Sequence, residues 1–95
     1  MNKRNLYMEK IDAKLTQYNA KLAQMKGKAA EVHVDMKLEY LNQVEYLEKK
    51  RNEIMNNHKQ LKTASEHGWE DVKVGTEKAW NELEESFDKA VARFK

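Results

Sequence analysis

The chain has no cysteine and no proline, and only three glycines and eight aromatic side chains in 95 residues. Each shortage excludes something. Without cysteine there is no disulfide framework, no thiol chemistry and no cysteine-type zinc site. Without proline, and with Gly27, Gly68 and Gly75 far apart, the turns of a compact β or α/β domain lack their usual residues. No apolar run approaches the ~18 residues of a membrane span. Met1-Asn2-Lys3-Arg4 is basic, but Glu9, Lys10 and Asp12 interrupt any signal-peptide apolar region. The expected compartment is therefore the cytoplasm.

What is present is charge. Asp, Glu, Lys and Arg make up 36% of the chain, yet the formal net charge is only +2. The balance hides an asymmetry, because residues 1–65 carry 13 basic and 8 acidic side chains and residues 66–95 carry 5 and 8. A basic stretch followed by an acidic one can pair with itself, within a hairpin or between antiparallel chains. Two solvated helical faces with incidental bias give the same numbers, since exposed ion pairs contribute only about 0–1 kcal/mol each. Disorder is the rival implied by the charge and the low mean hydropathy of −1.01. Periodicity argues against it.

From Met8, alternating steps of three and four select Met8, Ile11, Leu15, Tyr18, Leu22, Met25, Ala29, Val32 and Met36. Every slot is apolar or aromatic, a coiled-coil seam. Gly27 falls between two seam positions, so it reads as an exposed helical glycine. A helix C-terminus there, with Lys26 in the last turn, is the alternative. After Met36 comes an extra step of four to Tyr40, Val44 and Leu47, a stutter that locally unwinds a left-handed supercoil. The seam then weakens through Arg51, Ile54, His58 and Leu61, with Arg51 expected to snorkel.

The last third changes period. Trp69 to Ala79 and Trp80 to Ala90 are two copies of an 11-residue unit, with Val72 matching Leu83 and Thr76 matching Phe87. At 100° per residue, Trp69, Val72, Thr76, Trp80, Leu83, Phe87, Ala90, Val91 and Phe94 share an arc of roughly 100°. Eleven residues over three turns predicts a straight or slightly right-handed helix.

These patterns predict an all-α chain: a long helix over about 4–62, a break over about 63–68, and a shorter amphipathic helix over about 67–94. Thr63 and Glu66 have capping-box spacing, and Ser65 is another candidate N-cap. The apolar phase also continues across this break, which leaves a single helix as the alternative. A shorter helix covers less than half of such a long one, so self-association is expected, most simply as an antiparallel dimer. The expected interface is Ile11, Leu15, Tyr18, Leu22, Met25, Val32, Met36, Trp69, Val72, Trp80, Leu83, Phe87 and Phe94.

Catalytic and metal templates find no match. The residues three before His33, His58 and His67 are Ala30, Met55 and Ala64, so the Glu-x-x-His motif of di-iron bundles is absent. There is no His-Glu-x-x-His motif and no glycine-rich phosphate loop. Ser65 and His67 point apart on a helix. His33 with Met36, and His67 with Asp71, share helical faces and could ligate a metal through symmetry mates, but seam packing and a helix start explain them equally. No enzymatic activity, metal or cofactor is expected, and no nucleic-acid partner, because no aromatic-basic cluster is present. Trp69, Trp80, Phe87 and Phe94 fit a bundle core, and alternatively a membrane-surface or partner-docking face. The acidic polar side of that helix disfavours anionic lipid.

Three segments carry a resemblance: Lys10-x-x-Ala13-Lys14-Leu15 with Tyr18-Asn19-Ala20, Glu39-Tyr40 with Leu47-x-x-Lys50-Arg51, and Trp69-Glu70-Asp71-Val72-Lys73-x-Gly75 with Ala79-Trp80. On these the chain resembles a family of short bacterial coiled-coil domain-containing proteins, some grouped as stress-response proteins. The last motif is the most specific. The resemblance implies a small cytoplasmic helical protein and transfers no active site. His67-Gly68 lies outside the family pattern.

Overall fold

The computed structural model describes residues 3–94, which form three α-helices and no strand. α1 is Lys3–Gly27, α2 is Val34–Thr63 and α3 is Glu66–Arg93. A one-turn 3-10 helix, Lys28–Glu31, follows α1. The fold is all-α and hairpin-like, folded back twice into an elongated bundle of 50 × 19 × 18 Å. Contacts fix the directions. Lys26 pairs with Glu48 and Asn19 with Arg51, so α1 and α2 are antiparallel. Lys50 pairs with Glu82 and Glu39 with Arg93, so α2 and α3 are antiparallel.

The expected continuous helix over 4–62 is not formed; it stops at Gly27. The C-terminal alternative, with Lys26 in the last turn, is the one realised. The reason is coverage. A straight helix would leave the seam from Ile11 to Met25 in water, whereas folding back buries Ile11, Leu15, Tyr18, Leu22 and Met25 under α2 and α3. Complete burial of each large apolar side chain contributes about 1.5–3 kcal/mol, more than the few helical hydrogen bonds given up at the turn. The stutter between Met36 and Tyr40 falls in the first turns of α2, beside this bend.

The second turn is shorter than expected. Only Ala64 and Ser65 are non-helical. Ser65 is the N-cap of α3, its Oγ accepting from the Gly68 N–H at 3.1 Å. Thr63 takes no part in a capping box; its hydroxyl donates back to the Gln60 carbonyl at 3.5 Å. Gly68 lies inside the first turn of α3.

One core runs the length of the bundle. Val44, Leu47 and Ile54 of α2 and Trp80, Leu83 and Ala90 of α3 close over the α1 seam. Thr76, also buried, donates to the Val72 carbonyl at 2.7 Å within its own helix, which removes the cost of an unpaired hydroxyl. The 11-residue face of α3 is thus turned inward.

Candidate interaction surface

The side chains expected at an oligomer interface are used within the chain. Ile11, Leu15, Tyr18, Leu22, Met25, Trp80 and Leu83 are buried. Val32, Met36, Trp69, Val72, Phe87 and Phe94 are half-buried. The seam read from the sequence finds its cover within one chain because the chain turns at residues 28–33, where the long-helix expectation ran on and the alternative helix end at Gly27 did not.

α1 and α3 meet in a particular way. Their backbones stay apart, with no pair of Cα atoms within 8 Å. Aromatic rings bridge the gap. Tyr18 sets its edge against Trp80 at 5.0 Å and against Phe87 at 5.4 Å, and Tyr7 meets Trp69 at 6.4 Å. Basic side chains of α1 lie over the same rings: Arg4 on Trp69 at 5.7 Å, Lys14 on Trp80 at 5.1 Å and Lys21 on Phe87 at 5.6 Å. The basic first part therefore meets the acidic last part mainly through aromatic faces. Among the described residues two direct ion pairs cross that division, Lys50 with Glu82 at 3.0 Å and, with the signs reversed, Arg93 with Glu39.

Titration follows from this packing. Burial, with Glu84 and Asp88 nearby, pushes the Tyr18 hydroxyl up to about 12. Burial and then Glu77 do the same to Tyr7. The hydrogen bond from Lys50 holds Glu82 below the usual carboxylate range, and the same bond raises Lys50. The Trp80 indole N–H donates to Glu84. Arg51 reaches the surface, where it donates to Asn19 at 3.0 Å, as snorkelling predicts.

The histidines are dispersed. His33 caps α2, His58 lies within hydrogen-bond distance of the Met8 carbonyl at 3.3 Å, and His67 is exposed on α3. No three His, Asp or Glu side chains come together to hold a metal among the described residues. No helix of those residues is long and apolar enough to cross a membrane.

Besides single exposed side chains such as Leu6, Val74 and Val91, one apolar stripe is free. Val34, Leu38 and Leu41 sit at i, i+4 and i+7 on α2, exposed by 75%, 73% and 44%. At 100° per residue their direction lies roughly 130° from the core face of Val44, Leu47 and Ile54. The stripe points straight to solvent, at the end of the bundle where α1 gives way to α2. The sequence carried the signal in the spacing of these residues, but the stronger seam on the opposite side of the helix masked it. Compared with protein-family models, curated proteins and solved structures, the chain matches none.

Proposed function

We propose that the protein is a non-enzymatic, self-associating helical interaction protein that pairs with a second copy along the outer face of α2. The observation that carries this reading is the stripe Val34, Leu38 and Leu41, a helix face left in water while the seams around it are buried. An antiparallel two-fold pairing that sets Leu38 of one copy opposite Leu41 of the other makes the contact isologous. The stripe is short, so the pairing is weak and reversible. A stress-linked setting and a cytoplasmic location belong to the same proposal and rest on the resemblance and the composition.

The rival membrane reading needs Trp69, Trp80 and Phe87 to face lipid. Trp80 and Phe87 are packed against Tyr18, so α3 would first have to leave α1. Sedimentation velocity over a wide concentration range tests the proposal. The native chain is expected to show a concentration-dependent dimer, and Leu38→Glu with Leu41→Glu to abolish it with unchanged helical circular dichroism. A native chain that stays monomeric at every concentration rejects the proposal.

A further inference from the structure

The first turn is built on a stretch that has strong local reasons to remain helical. Lys28, Ala29, Ala30 and Glu31 are good helix formers, and they are already wound as a 3-10 turn. Gly27 before them has helical dihedrals, φ −62° and ψ −30°. Extended backbone is confined to Val32, at φ −76° and ψ 136°, and His33, at φ −55° and ψ 141°. The cap on α2 is a long one, the His33 Nδ1 accepting from the Asp35 N–H at 3.3 Å on an exposed surface. Turning ψ at these two residues to the helical value would fuse α1 and α2 into one helix ~90 Å long. The apolar seam passes through the join in phase, at Ala29, Val32 and Met36.

A chain opened in this way strips α1 of its cover. A second opened copy restores the contacts, with α1 of each lying on α2 and α3 of the other. The register supports a further gain. Met8 lies beside His58, Asn19 beside Arg51 and Met25 beside Tyr40. Continued past the turn, this register sets Val32 of one copy opposite Met36 of the other, and the reverse. Both residues are only half-buried in the closed chain. We infer that the protein exchanges α1 with a second copy of itself by straightening at Val32 and His33. The inference rests on the self-association reading and names a second, more intimate form of it. Closed and exchanged forms share most contacts, so protein concentration and hinge preference decide between them.

The chain has no native cysteine, so a cysteine pair reports the exchange directly. Lys26→Cys with Glu48→Cys replaces an ion pair of 3.2 Å between α1 and α2. The full chain is unfolded, refolded at low and at high concentration, and treated with a short bis-maleimide. Closed chains link within themselves; exchanged chains link to each other and run as dimers on a denaturing gel. The between-chain product is expected to grow with refolding concentration. His33→Pro in this background suits the closed turn, because φ is already near −55° and the preceding residue is extended. It blocks the fused helix and is expected to cut exchange by about a hundredfold. Dimers carrying within-chain links alone would overturn the exchange and leave face-to-face pairing standing. The absence of any dimer would overturn both, and unreduced exchange in His33→Pro would overturn the hinge.

Discussion

The Tyr40 hydroxyl donates a 2.7 Å hydrogen bond to the Met25 carbonyl, fifteen residues earlier and on the neighbouring helix. That carbonyl belongs to the last turn of α1, where a helix runs out of its own donors. A buried side chain of α2 thus completes the end of α1 and fixes the angle of the first turn. The same ring stands edge-on to Phe94 at 5.0 Å, so all three helices meet at this residue. Tyr40→Phe keeps the ring and leaves the carbonyl unpaired. The expected loss is about 1–3 kcal/mol, read as a lower urea midpoint with unchanged slope.

Leu83 is wholly buried where α3 closes on the other helices. Leu83→Ala removes three methyl-sized groups from the centre of a narrow bundle. A loss of about 2–5 kcal/mol is expected, a large fraction of what a domain of this size holds. Thermal unfolding followed by circular dichroism checks it, and a change below about 1 kcal/mol would mean that the bundle is loosely packed there.

Ser65 closes the first turn of α3 with its side chain. Ser65→Ala is expected to cost about 1 kcal/mol. Gly75 provides the opposite case. It lies exposed in the middle of α3, and a Cβ there meets nothing within 4 Å. Gly75→Ala is expected to stabilise by about 0.5–1 kcal/mol, or roughly 4 °C in Tm. A calorimetric comparison of the two variants with the native chain reads both signs in one experiment.

Alkaline pH has a stated direction. Tyr7 and Tyr18 are held neutral in the fold up to about 12, whereas an unfolded tyrosine ionises near 10. Their contribution is complete below about pH 10 and is lost as pH rises toward 12. Lys50, raised by its bond to Glu82, is lost in the same direction above its ordinary value. Glu82, held low by Lys50, contributes above the ordinary carboxylate range and is lost as pH falls. Urea midpoints across pH 9 to 12 are expected to decline for the native chain and to decline less for Tyr18→Phe.

The seam from Ile11 to Met25 and the inward face of α3 were legible because each repeats over several turns. Such repetition outweighs local noise. The second turn was legible within a few residues because a serine cap marks it. The first turn was not. Positive φ is absent from every described residue, so the chain turns without a conformation that demands glycine, and residues 28–31 are good helix formers. Only the stutter at Met36–Tyr40 and the position of Gly27 hinted at it. The stripe Val34, Leu38 and Leu41 was overlooked for a related reason, since an apolar row outside the main seam has no periodic partner elsewhere in the chain.

The rings between α1 and α3 also bear on how α1 is located along the bundle axis. Ring edges and cations over rings accept a displacement of an ångström or so with little loss, so they hold α1 down without fixing where it sits lengthwise. That position is set by directional hydrogen bonds, several of them at its two ends. Near the start, Arg4 donates to the Ser65 carbonyl at 3.2 Å and Tyr7 to the Lys73 carbonyl at 3.5 Å. At the far end, the Met25 carbonyl is gripped by Tyr40. Midway, the bond from Arg51 of α2 to Asn19 adds a directional hold that the rings do not provide. The lengthwise position of α1 is therefore fixed from α2 along its length and, among the described residues, from α3 only near its start.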